Sequence, residues 1–278
     1  MLPLVLAFGS GMAWGTADFL GGVSARTLPL VTVSLVSQAA GLMLLGTVAL
    51  VRGEGPSDAD AVVLGVAAGV LGAVGLAALY RALAIGRMSI VAPTAALAGV
   101  VPLVWGLLRG ERPSAIQFAG VALAVVGIAL AATSRDDRGE RTTAGLGLAL
   151  IVAVTLGTVV LLLDEAGRVD PTWGPLMLRV TAITLFGVVF LVTRPSLRMR
   201  PVETGRLISV GLIDNGGNLA FAYAADAGGL LVLTSVLGSL YPVATVLLAR
   251  FVLLERLAPL QMAGVVGALA GVVLIAAG

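Results

Sequence analysis

The chain contains two copies of itself. Glu111, Arg112, Gln117 and Gly120 recur 144 residues later as Glu255, Arg256, Gln261 and Gly264, and eight of seventeen positions are identical between residues 111–127 and 255–271. At an offset of 142, Gly15-Thr16, Arg26, Pro29, Gly69, Gly75 and Gly86 face Gly157-Thr158, Arg168, Pro171, Gly211, Gly217 and Gly228. A two-residue insertion reconciles the registers. The duplication predicts a first repeat over 1–134, a linker over 135–141 and a second repeat over 142–278.

Composition decides which solvent these repeats face. Hydrophobic residues make up 59% of the chain and charged ones 12%, and the mean hydropathy is +1.08. A soluble domain of this size cannot hide so much apolar surface, so much of it must contact lipid. Charge-free runs cover 27–51, 61–80, 88–108, 113–134, 142–163, 227–249 and 257–278, and three further apolar spans near 3–23, 172–193 and 205–225 carry only isolated charges. About twenty residues at roughly 1.5 Å each cross the hydrocarbon layer. The expected fold is all-α and polytopic, with ten transmembrane helices. Five crossings per repeat return the chain on the opposite face, so the two five-helix repeats must be mutually inverted.

All seventeen basic residues are arginine. Loops 1–2, 3–4, 5–6, 7–8 and 9–10 hold twelve, whereas the other face has Arg52, Arg109, Arg112 and Arg168. Short arginine-rich loops stay cytoplasmic, which predicts an inner-membrane protein with both termini outside. The excess of arginine reflects topology, and a net charge of +2 is no argument for nucleic acid. Helix 1 is read as retained, since no polar mature domain follows a cleavable leader. Histidine, cysteine and lysine are absent, which excludes His-based triads, thiol nucleophiles, lysine Schiff bases and zinc or haem ligation through His or Cys. Without a GxxxxGK[ST] loop, energy would come from gradients rather than from ATP by that route. No cofactor or metal is expected, and no enzymatic activity.

Trp14-Gly15-Thr16, residues 80–84, Pro93, residues 111–127 and the stretch from Tyr241-Pro242 to Gly264 resemble the EamA-like branch of the drug/metabolite transporter superfamily. The resemblance covers nearly the whole chain. It implies ten helices in two inverted repeats, a cavity lined by helices 1–4 and 6–9 with helices 5 and 10 as supports, and export or exchange of amino acids or other small metabolites. One departure is Ala98 in the first repeat where the second has Pro242, although Pro93 and Pro102 flank it.

Polar residues deep in apolar spans are the candidate substrate ligands, because each charge there costs about 2.5–3.5 kcal/mol. The densest group is Asp214, Asn215 and Asn218, around Gly216-Gly217. Asp214 and Asn218 share a helical face, and the glycine pair suits a partly unwound segment. Asp18 lies on the face of Trp14; it either carries a coupling proton, leans toward headgroups or pairs with Arg26. Arg179 either grips a substrate carboxylate or pairs with Asp214 or Asp18. Gln38 shares a face with Ser34 and Gly41 and serves either a ligand or an interhelical hydrogen bond. Pro93, Pro102 and Pro242 free the carbonyls of Ser89, Ala98 and Gly238, and those of Ala98 and Gly238, near mid-span, must find new partners or line a wet cavity. Tyr241 and Trp105 are candidate aromatic walls.

Glu111 and Glu255 read as helix-start charges, with gating salt bridges as the alternative. Pro113 suits a first turn, and Ser114 with Gln117 fits a capping box. The Gly-xxx-Gly pairs 11/15, 65/69 and 267/271 favour close contacts within the bundle, so the chain is expected as a monomer or weak homodimer. Together these readings predict a secondary transporter, an exporter or exchanger of a small polar or amphipathic metabolite, with the lipid bilayer as its surroundings and a proton as candidate coupling ion. The alternatives are an intramembrane lipid-headgroup enzyme or a non-transporting scaffold.

Overall fold

The computed structural model describes residues 1–85, 98, 100–131, 146–238, 240–252 and 259–277. Pro93, Glu255, Arg256 and the linker 135–141 lie outside these. All regular structure in the described residues is helical, save for the short 3-10 assignment at Ala98: α1 (Leu2–Ala25), α2 (Leu30–Arg52), α3 (Ala59–Ile85), α4 (Val100–Leu108), α5 (Ala115–Ala131), α6 (Leu146–Val169), α7 (Trp173–Thr193), α8 (Pro201–Asp226), α9 (Leu231–Gly238), α10 (Tyr241–Val252) and α11 (Pro259–Ala277). Among them α2, residues 59–82 of α3, and α7 are long and apolar enough to cross a membrane alone.

Local chemistry sets the ends. Pro29 caps α2 and left-handed Gly53 closes it, a conformation that costs glycine little. At α5 the Ser114 N–H donates to Gln117 Oε1 at 2.9 Å and the Gln117 N–H to Ser114 Oγ at 3.2 Å, the reciprocal pair that the spacing predicts. Pro113 precedes that cap instead of occupying the first turn. The ninth span is interrupted after Gly238 and resumes at Tyr241, where Pro242 cannot donate to the carbonyl of Gly238.

The inversion is visible where the repeated signature meets itself. A Cβ on Gly127 would lie 2.7 Å from Gly264 O, and one on Gly271 would lie 2.6 Å from Gly120 O and Ala124 N. The late part of α5 therefore meets the early part of α11, and the early part of α5 meets the late part of α11. That arrangement is antiparallel, and its partners are repeat mates, so the two halves are related by a pseudo-two-fold axis and point in opposite directions. The other packings obey the same relation: α1 lies on α8 as α6 lies on α3, and α2 on α8 as α7 on α3. Gly11 and Gly15 seat α1 on Leu237, Gly238 and Tyr241, while Gly65 and Gly69 seat α3 on α7. The glycine pairs serve packing within the bundle. Leu50, Val192 and Phe251 are among many large apolar side chains left exposed, as a lipid-facing surface requires.

Candidate functional site

Where α1, α2, α3, α6, α7, α8 and the broken ninth span converge, the bundle encloses a cavity of about 810 Å3 of empty space, mouth included. Its walls include Trp14, Asp18, Gln38, Arg179, Asp214, Asn218 and Tyr241, all singled out above, whereas Asn215 and Trp105 are not among them. Ala98 and Gly238 line it too, the two positions whose carbonyls Pro102 and Pro242 release near mid-depth. Neither α5 nor α11 reaches it; they pack on each other at the periphery.

One ion pair organises the polar side. Arg179 Nη2 donates to Asp214 Oδ2 at 2.9 Å, the arginine side chain 4% exposed and the aspartate 31%. The pairing reading of Arg179 is therefore the one realised: the guanidinium sits behind Asp214, and the carboxylate fronts the cavity. Trp14 Nε1 donates to Asn218 Oδ1 at 3.0 Å, and its ring lies tilted against Phe221 at 5.4 Å between centroids. Asp18 is half-buried and has no hydrogen bond or ion pair among the described residues. Gln38 Oε1, Ser34 Oγ and Tyr241 Oη are buried without partners. A cost of about 1–3 kcal/mol attaches to each such group unless something in the cavity satisfies it.

Three expectations need correction. Asn215 does not line the cavity: its Nδ2 donates to Gly211 O at 2.8 Å and its side chain fills the notch left by Gly41. Gly216-Gly217 do not unwind the helix, since α8 runs unbroken from Pro201 to Asp226. Gly217 instead admits an aromatic neighbour, a Cβ there falling 2.9 Å from Trp14 Cδ1. Trp105 is 42% exposed and stacks with Arg109 at 5.9 Å, away from the cavity.

The residues that sequence reasoning missed are apolar. Gly72, Leu76 and Leu79 of α3 and Leu156, Val159 and Val160 of α6 form the opposite wall. An aliphatic residue in a transmembrane helix carries no signal by itself, but the duplication does. Trp14 and Leu156, Asp18 and Val160, Gly72 and Asp214, and Leu76 and Asn218 are repeat mates 142 residues apart, and all eight line the same cavity. The pseudo-two-fold axis thus builds two walls of matching shape. In these four pairs the α1/α8 wall has the polar member and the α3/α6 wall the apolar one.

The face carrying the α2–α3, α4–α5, α6–α7 and α8–α9 connections is held by polar contacts between loops of both halves. Arg52 Nη1 donates to Asp170 Oδ1 at 2.7 Å, Arg168 binds Asp164 at 2.8 Å and Gly229 O at 2.7 Å, and Arg109 pairs with Glu165. Burial alone would raise the pKa of Asp170, but the N–H groups of Trp173, Thr172 and Ser57 and the Arg52 guanidinium hold it below the usual carboxylate range. Glu111 is a helix-start charge for another helix. Its two oxygens accept from the N–H groups of Leu231 at 2.8 Å and Val232 at 2.7 Å, so the signature of the first repeat caps α9 of the second.

Comparison with known proteins agrees with this architecture. A solved crystal structure at 17% sequence identity superposes over 98% of this chain and 95% of its own with a TM-score of 0.80, a likeness of fold. No curated protein matches the sequence. The model of the EamA-like transporter family matches twice, over residues 1–133 and 143–277. With both repeats covered, the chain is a multi-pass membrane protein that belongs to the EamA-like transporter family, a family of secondary transporters rather than enzymes.

Proposed function

We propose that the protein moves a small amphipathic metabolite, such as an amino acid, out of the cell or in exchange by alternating access around this cavity. The observation that carries the reading is the cavity's place on the pseudo-two-fold axis, walled by spans of both halves and holding the Arg179–Asp214 pair. Two like bundles that exchange conformations expose such a site to each side in turn. Gly238 and Tyr241, on either side of the break between α9 and α10, and Ala98 line the cavity, where freed backbone can serve a ligand.

In this reading Trp14, Asp18, Gln38, Asp214, Asn218 and Tyr241 contact substrate, Arg179 holds Asp214 in position, and Asn215 fixes α8 against α2. The polar contacts among the α2–α3, α4–α5, α6–α7 and α8–α9 loops keep the outer face shut while the basic face lies in the cytoplasm of an inner-membrane protein. Asp18 is the coupling group, neutralised by a proton in one direction and by substrate in the other. The charged and titratable groups around it are Asp214 on α8, Arg179 on α7, Tyr80 on α3 and Tyr241 on α10.

The test is flux of labelled small metabolites, amines as well as amino acids, into proteoliposomes with and without an imposed pH gradient. Wild-type protein should give gradient-dependent uptake, and Asp214→Asn, which keeps a hydrogen bond to Arg179, should insert normally and lose it. Wild-type rates in that variant would remove Asp214 from the site, and flux indifferent to the gradient would remove the proton.

A further inference from the structure

The charge presented by the cavity narrows the substrate class, an inference that rests on the transport reading above. Arg179 and Asp214 neutralise each other at 2.9 Å, and the cation of that pair is the withdrawn member. Asp18 then contributes a carboxylate with no partner among the described residues. When ionised, the polar wall carries a net charge of −1 and presents oxygen on both of its acids. Gln38 Oε1, buried and unpartnered, adds an acceptor, and the Trp14 ring adds a face that attracts cations. Opposite stand Leu76, Leu156 and Val160, which offer only apolar surface.

We propose that the cavity selects an organic monocation with an apolar body, its charged nitrogen against Asp18 and its hydrocarbon against the α3/α6 wall. A carboxylate-bearing ligand would meet Asp18 and the exposed edge of Asp214 before it met any positive charge, and like charges disfavour one another in a low dielectric. A zwitterion would satisfy Asp18 with its ammonium but bring its carboxylate to a wall whose cation, Arg179, is already neutralised by Asp214 and keeps only its buried Nε without a partner. Asp18 holds one positive charge at a time, so a substrate cation and a proton exclude each other there and the transport cycle becomes an exchange.

The experiment uses the full chain in detergent, with hexylammonium, hexanoate and leucine as probes of equal scale and different charge, read by calorimetry. Hexylammonium should bind saturably and at least about tenfold more tightly than either of the others, and Asp18→Asn should weaken it by about tenfold or more. Equal or tighter binding of hexanoate or leucine overturns the proposal, as does unaltered hexylammonium affinity in a folded Asp18→Asn protein. Because the probe series is run on wild-type protein, it decides the matter even where the variant fails to fold. Flux of butyltrimethylammonium, whose fixed charge does not cross lipid unaided, separates this inference from the function it rests on. Cation binding without flux would sink the transport reading and leave the selectivity standing. Leucine flux that hexylammonium does not inhibit would sink the selectivity and leave the transport reading standing.

Discussion

The α1/α8 wall and the α3/α6 wall of the cavity descend from one ancestral helix pair, yet they now have opposite chemistry. Trp14, Asp18, Asp214 and Asn218 on the first correspond to Leu156, Val160, Gly72 and Leu76 on the second. Packing survived the divergence: Gly75 admits α6 at Leu156, and its mate Gly217 admits α1 at Trp14. The same asymmetry recurs in the loops. Asp170 is tied by Arg52 and three backbone N–H groups, whereas its mate Leu28 packs against an apolar cluster that includes Val33, Tyr80 and Leu207. Duplication fixed the geometry on both sides, and subsequent substitution concentrated function on one. A cavity with one polar and one apolar wall grips an amphipathic solute in a single orientation, which two identical walls cannot do.

The comparison breaks most decisively at its ion pair. Asp214→Leu leaves the Arg179 guanidinium buried and unpaired, and should destabilise the protein by about 3–5 kcal/mol, read as a lowered melting temperature in detergent. Adding Arg179→Met should recover most of that loss without recovering transport. An unchanged melting temperature in the single variant would mean that the pair does not form. No comparable effect is expected for Gly72, which carries no charge at the corresponding place.

The loops give the next effect. Asp170→Asn removes an anion held by several donors and should cost about 1.5–3 kcal/mol at neutral pH. The native state holds Asp170 below the ordinary carboxylate range, so its contribution is complete above the unfolded pKa of about 3.9 and disappears as pH falls through the lower native value. Melting curves of wild type and variant should therefore converge on acidification. A gap that persisted at the lowest pH would assign the loss to packing.

Gly75→Ala and Gly217→Ala test whether the two walls keep equal tolerances. Each should cost about 1–3 kcal/mol through overpacking, with the larger loss at Gly75, where a Cβ would fall 2.6 Å from both Leu156 Cδ2 and Thr155 Oγ1 and that hydroxyl is held by Ile151 O, whereas at Gly217 the nearest atom is Trp14 Cδ1 at 2.9 Å. Equal melting temperatures would show that α6 yields at Leu156 and Thr155 as readily as α1 does at Trp14. The smallest effect belongs to Leu156→Ala on the apolar wall: since that side chain partly faces open space, stability should change little. Affinity for a substrate with an apolar body should fall by roughly three- to tenfold, measured by competition in the flux assay. An undiminished affinity would take Leu156 out of the site.

Much of this was legible in the residues because two signals are unusually strong in lipid. A charge inside an apolar run is too costly to be accidental, and so Asp18, Arg179 and Asp214 stood out as cavity residues. Proline at mid-span removes a backbone donor, and so Ala98 and Gly238 stood out as cavity positions and Gly238 marked the end of α9. The apolar wall gave no such signal, since Leu76 and Val160 look like any lipid-facing aliphatic until the repeat register places them opposite polar mates. Glu111 was readable as a helix-start charge, but local spacing pointed to its own helix, whereas the recipient is α9, 120 residues away. Gly216-Gly217 misled for a related reason: a glycine pair lowers helix propensity, yet α1 packed against α8 supplies what the local sequence lacks.

By itself the sequence determined the solvent, the ten spans and their inversion, because hydropathy, the length needed to cross lipid and the parity of five are properties of a linear string. Tertiary structure alone decided which polar groups satisfy one another. Whether Arg179 faces a substrate or Asp214, and whether Asn215 faces the cavity or the notch at Gly41, depends on the rotation of each helix about its axis. That rotation is set by glycine contacts between segments far apart in the chain, and spacing within one segment does not encode it.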